Sequence, residues 1–133
     1  MAEVVISLAI SVVAIGSIWS AYINNSKILG KSVRTAAANA LLVQRMEQIR
    51  GARWDTRAWP LIDELVATNF PTTVQLLNLP NSSTNLVYAT NTTTIKSIKT
   101  SPPMRLITVE CTWKDDNGIV YTNSIVAYRS PAP

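Results

Sequence analysis

The chain has 133 residues, 47% of them hydrophobic and 15% charged, with no histidine, one cysteine and a formal net charge of +4. The charged share falls well below the roughly 25% of an ordinary soluble domain. Without histidine, and with Cys111 as the lone thiol, there can be no Ser-His or Cys-His nucleophile pair, no His/Cys zinc site and no internal disulfide. The positive charge is also dispersed. Residues 1–53 hold six basic side chains against two acidic ones, and residues 54–133 balance six against six. No aromatic residues interleave the basic ones as in single-strand binders, so specific nucleic-acid binding is not expected.

In residues 1–23 the sole charge is Glu3; 17 of these residues are apolar or aromatic, four are serine and one is glycine. About 20 such residues suffice for a helix to cross a bilayer. A secretory signal peptide would instead carry a basic front, a shorter apolar core and a small-residue cleavage site. Here the front carries an acid. Lys27, Lys31 and Arg34 follow the apolar run, and positive residues beside a span favour the cytoplasmic side. That would place the C-terminal part in the cytoplasm, unless a short basic leader preceded Met1 and was removed after insertion.

Nothing ends the helix at Ile23, because the first proline is Pro60. Ala36-Ala37-Ala38, Leu41-Leu42 and residues 44–49 are strong helix formers. A helix over residues 2–53 would be about 75–80 Å long. Its second half is apolar on several sides: Ile28, Val33, Ala37, Ala40, Leu41, Leu42 and Val43 do not gather into one stripe at about 100° per residue. Such a helix expects several partners, and 80 further residues are too few to supply them. Self-association is the expectation.

The start Ala2-Glu3-Val4-Val5-Ile6-Ser7-Leu8-Ala9-Ile10, with the uncharged run after it, resembles type IV pilins and type II secretion pseudopilins, the prepilin-type methylation-motif family. Residues 38–50, with Leu41-Leu42 and Arg45-Met46-Glu47-Gln48-Ile49-Arg50, resemble the minor-pilin and pseudopilin members. The resemblance covers about the first 53 residues. It implies a leader removed by a prepilin peptidase, a methylated new N-terminus, and subunits that pack by their helices into a filament. It also implies that Glu3 pairs with the N-terminal amine of a neighbouring subunit, setting recruitment and register. The alternative for Glu3 is an acid favoured in the first helical turn by the helix dipole. The filament-core packing residues implied are Val4, Val5, Ile6, Leu8, Ile10, Val12, Val13, Ile15 and Ile18. The family places its glutamate fifth in the mature chain and this one stands third, which two residues ahead of Met1 would explain. The proline that many major pilins carry near the end of the run is missing, so the candidate positions for a helix break are Gly16, Asn24 and Asn25.

Residues 51–60 are expected to end the helix, with Trp54 and Trp59 packing at the neck, and residues 61–67 to form a helical turn. Beyond Pro71 the Thr/Val/Ile/Asn texture reads as strand and turn, with strands over residues 72–79, 86–90, 94–99, 104–113 and 119–129. Asn117-Gly118 signals a two-residue hairpin. That turn sets Val109 opposite Val126 and Ile107 opposite Tyr128, with Cys111 on the same core-facing side. Asn81-Ser82-Ser83 and Asn91-Thr92-Thr93 match the glycosylation acceptor pattern and suggest an exposed 80–94 segment. Asp115-Asp116-Asn117-Gly118 offers calcium ligands, but a solvated hairpin tip explains it as well.

Asp55, Asp63, Glu64 and Glu110 fall in separate elements, and no glycine-rich phosphate loop exists. No enzyme activity, metal or cofactor is expected. The sequence thus predicts an α+β chain: a long helix over residues 1–53, its first 23 residues apolar and residues 24–53 packing on the sheet, then an antiparallel β domain over residues 54–133. The function expected is a structural subunit of a pilus-like or pseudopilus-like filament, held in the cytoplasmic membrane before assembly and on the cell surface afterwards. The partners expected are further copies of the chain, the prepilin peptidase and the assembly machinery. Two alternatives stand beside it: a minor subunit that primes a secretion pseudopilus or pilus, and an anchored extracytoplasmic binding module that never polymerises.

Overall fold

The computed structural model describes residues 2–77, 86–115 and 118–131. The fold is α+β: one long N-terminal helix, then a small antiparallel sheet. Helix α1 (Ala2–Gly51) is continuous through Gly16, Asn24 and Asn25, so none of these candidate positions interrupts it. The chain divides into two compact units, Met1–Thr35 and Ala36–Pro133.

In the second unit, Ala38, Leu42, Met46 and Ile49 are buried. Their spacing of three and four puts them on one face, while Val33, Ala40 and Val43 lie off that face and stay exposed. The stripe packs on the inner face of a sheet ordered β3-β4-β5-β6, from Thr73–Leu76, Tyr88–Thr100, Pro103–Lys114 and Val120–Arg129. Ala89, Ile107, Val109, Cys111 and Trp113 supply the sheet's side of the core, with Cys111 fully buried as expected. A two-stranded ribbon of β1 (Trp54–Asp55) and β2 (Ile62–Asp63) follows the helix, then a 3-10 turn at Ala67–Asn69. The helical turn expected at residues 61–67 is therefore a ribbon strand followed by that later, shorter turn.

Three further expectations are corrected. Residues 86–90 and 94–99 belong to a single 13-residue strand, β4. Asn91 and Thr93 sit at core-facing positions of this strand and are buried, so polar residues interrupt the apolar alternation that marks a strand. The Asn91 triplet is accordingly interior rather than an exposed acceptor, while Asn81-Ser82-Ser83 lies outside the described residues. Trp59 is 97% exposed and packs on nothing, whereas Trp54 is buried as expected.

The hairpin correction has the largest consequence. Val109 pairs with Ile125 and Ile107 with Ala127, one residue away from the two-residue-turn register. Asp115 N–H donates to the Ile119 carbonyl, Gly118 N–H donates to the Asp115 carbonyl, and Gly118 has φ of +83°. A glycine at positive φ closing a three-residue loop is the second common hairpin design. One residue of slip exchanges every side chain between faces. Ile125 and Ala127 therefore turn to the core, and Val120, Val126 and Tyr128 turn to solvent.

Two arginines fasten the second unit together. Arg129 donates to the carbonyls of Ile49 and Ala52, adding to the Ala52 N–H bond to Ile49 in satisfying the acceptors of the helix end. Arg105 makes a two-pronged contact with Asp63 at 2.6 Å, donates to the Leu65 carbonyl and lies 4.4 Å over the Trp54 ring. It thereby ties the ribbon to the sheet. The hydrogen bonds from Arg105 hold the Asp63 carboxyl below its ordinary range, against the opposing effect of burial.

Candidate functional site

The first unit presents an apolar surface that nothing in the unit covers. Val4, Val5, Ile6, Leu8, Ile10, Val12, Val13, Ile15 and Ile18 each keep well over half of their surface exposed. At about 100° per residue these positions point in every direction around the axis, so the apolar character is cylindrical rather than one-sided. The serines do not spoil it. The hydroxyls of Ser7, Ser11 and Ser17 donate to the carbonyls of Glu3, Ser7 and Val13, each at 2.8 Å. A hydroxyl bonded to its own helix offers no unpaired donor to an apolar neighbour.

Glu3 stands in the first turn, exposed, as the one acid of the segment. Trp19 and Tyr22 are exposed where the apolar run ends, and Asn24, Asn25, Lys27 and Lys31 follow. Aromatics followed by lysines are the usual texture where a span meets the headgroups. The helix is long and apolar enough to cross a membrane, and none of its most apolar stretch is buried. It is compatible with membrane anchoring.

The second unit offers a weaker candidate, a shallow polar depression of about 130 Å³ lined by Leu41, Gln44, Arg45, Gln48, Thr73, Gln75 and Asn91. Its charged group is committed elsewhere: Arg45 donates to Gln48 Oε1 at 3.2 Å, the Pro71 carbonyl at 3.1 Å and Thr73 Oγ1 at 3.0 Å. Asn91 Nδ2 donates to the Leu41 carbonyl at 3.3 Å. These contacts tie helix to sheet rather than prepare a ligand site.

The acids are likewise occupied in structure. Asp55 accepts from the backbone of Arg57 and Ala58, Asp63 from Arg105, and Glu64 from the Arg53 N–H at 2.7 Å. Glu110 is exposed on the outer sheet face. Asp115 Oδ1 accepts from the Ile119 N–H at 2.8 Å, which uses it in the hairpin. Asp116 and Asn117 lie outside the described residues. Among the described residues, no three of His, Cys, Asp and Glu come together. Burial pushes the Cys111 thiol up, so it favours the protonated, inert form.

Sequence reasoning missed Arg105, Arg129 and Asn91. The correct hairpin register is the signal that would have found the first two, since it pairs Arg105 with Arg129 on the core side. No family model, curated protein or solved structure was found to match this chain.

Proposed function

We propose that this chain is a structural subunit of a pilus-like or pseudopilus-like helical filament, held together by its N-terminal helices. The observation that carries the reading is the uncovered cylinder of apolar side chains over residues 4–18. Apolar area gains about 25 cal/mol for each Å² removed from water, so such a surface demands cover. A bilayer supplies that cover to a single subunit, and copies of the same helix supply it in a filament. A helix meant only for lipid anchoring needs no apolar side chains beyond the span, yet Ile28, Leu29, Val33 and Val43 are all exposed. Those residues favour packing against further copies over an anchored module.

On this reading the chain waits in the cytoplasmic membrane after a prepilin peptidase has acted, and assembly machinery moves it into a surface filament. Glu3 is the recruiting group. A carboxylate entering an apolar core must find a partner, and the N-terminal amine of the preceding subunit offers the opposite charge. Glu3→Ala should reduce filament yield from sheared cells at least tenfold, while the circular dichroism of the sheet is unchanged. Normal polymerisation of that variant would overturn the pairing role of Glu3.

A further inference from the structure

The four-stranded sheet has two open edges among the described residues, and they differ in kind. On one side the edge strand β3 is four residues long and pairs only with Tyr88–Asn91 of β4, which leaves residues 92–100 without a strand partner there. That stretch carries Lys96 and Lys99 and a register irregularity between Ser97 and Lys99. Very short edge strands, lysines and bulges are among the devices by which proteins prevent edge strands from pairing. On the other side β6 runs for ten residues with no lysine, proline, acid or bulge. Its one charged residue, Arg129, is turned to the helix end.

The backbone of β6 is set for pairing. Asp115 and Ile119 are bonded across the hairpin, and antiparallel pairs alternate between bonded and non-bonded. The odd-numbered residues of β6 therefore bond to β5. Val120, Thr122, Ser124, Val126 and Tyr128 direct their N–H and C=O groups outward, and no described strand lies there. These same five side chains are exposed on the outer face.

We propose that β6 pairs with β6 of a second copy, antiparallel, about a two-fold axis at Ser124. This register sets Thr122 opposite Val126 and Val120 opposite Tyr128. It uses all five outward-directed residues, and it makes two β-branched–aromatic cross-strand pairs of the kind that stabilise sheets. Centring one residue later, on Ile125, would leave Val120 without a partner in the strand. Among the described residues β6 is the one long edge strand without such a device, since β3 is only four residues long, and an isologous contact uses the same patch on both copies. A head-to-tail arrangement would have to use the four-residue β3 or the lysine-bearing stretch of β4 beyond it. The pairing is independent of the filament reading and involves a different surface. A lone strand pair is smaller than the roughly 1,000 Å² that stable interfaces clear, so covalent capture is the suitable readout.

The test uses the full chain in detergent micelles with single added cysteines; native Cys111 is buried and does not compete. Under mild oxidation Ser124→Cys should form a disulfide dimer at least ten times more efficiently than Thr92→Cys, which places its thiol on the same face beside the guarded edge. Thr122→Cys should cross-link poorly with itself and well when mixed with Val126→Cys. Adding Val126→Pro to Ser124→Cys removes one outward N–H, so the dimer should disappear while the circular dichroism stays the same. Equal yields from Ser124→Cys and Thr92→Cys, or no dimer from Ser124→Cys, would overturn the proposal. So would preferential cross-linking of Ser124→Cys with Thr94→Cys, which would mean head-to-tail pairing with β4.

Discussion

Residues 2–35 and 36–51 lie in the same helix, yet Ile10 and Val13 keep 65% and 69% of their surface exposed while Ala38 and Ile49 keep none. Backbone conformation does not separate the two halves; side-chain geometry does. Ala38, Leu42, Met46 and Ile49 form a stripe, and a stripe can be buried by one sheet. The apolar residues of the first half form a cylinder, and a cylinder needs cover on all sides. The difference separates a half that the chain's own sheet covers from a half that nothing among the described residues covers.

Removing the same kind of side chain from each half tests the contrast between them. Leu42→Ala should destabilise the sheet unit by about 2–5 kcal/mol, the usual cost of a cavity at a fully buried leucine. Ile10→Ala should leave the urea midpoint of that unit within about 0.5 kcal/mol of the parent, as for a surface change. A matching loss from Ile10→Ala would mean that the halves are not independent.

A smaller effect is expected at the end of the buried half. Arg129→Met keeps most of the stem but removes the side-chain donor to the Ala52 carbonyl and one of the two donors to the Ile49 carbonyl. A part-buried acceptor left unpaired costs about 1–3 kcal/mol, readable as a lower urea midpoint with the m-value unchanged.

Smaller again is the pH response of the ribbon. Asp63 is held below its ordinary range by the hydrogen bonds from Arg105. Because the folded value lies below the unfolded one, this stabilisation is complete above about pH 4 and fades as pH falls through the folded value. The thermal midpoint of the sheet unit should therefore drop below about pH 4, and Asp63→Asn should remove part of that drop. A titration unaffected by Asp63→Asn would show that the pair does not govern acid stability.

The smallest change should be a gain. Thr93 Oγ1 is buried without a hydrogen-bond partner among the described residues. Thr93→Val replaces the hydroxyl by a methyl of similar size and should be neutral or stabilising by up to about 1 kcal/mol, measured by the same urea titration.

Much of this was legible in the sequence, and its limits have physical causes. The long helix follows from propensity and the absence of proline before Pro60. The β5–β6 hairpin and the burial of Cys111 follow from alternation. The face of β6 was not legible, because Asn117-Gly118 suits a two-residue turn as readily as a three-residue loop closed by Gly118, and one residue decides which face is buried. The unity of β4 was hidden because Asn91 and Thr93 occupy core positions that pattern reading assigns to apolar residues. Arg105 and Arg129 could not be placed until the register was known. For the apolar helix, composition alone sufficed, since its apolar residues are uninterrupted by charge after Glu3 until Lys27.

The most direct test of the filament reading is negative-stain electron microscopy of material sheared from cells that express the chain, with mass spectrometry of what is recovered. Thin filaments composed mainly of this chain are expected, and so is their loss in Glu3→Ala. Recovery of the chain only in the membrane fraction, with no filament containing it as a main component, would overturn the filament reading.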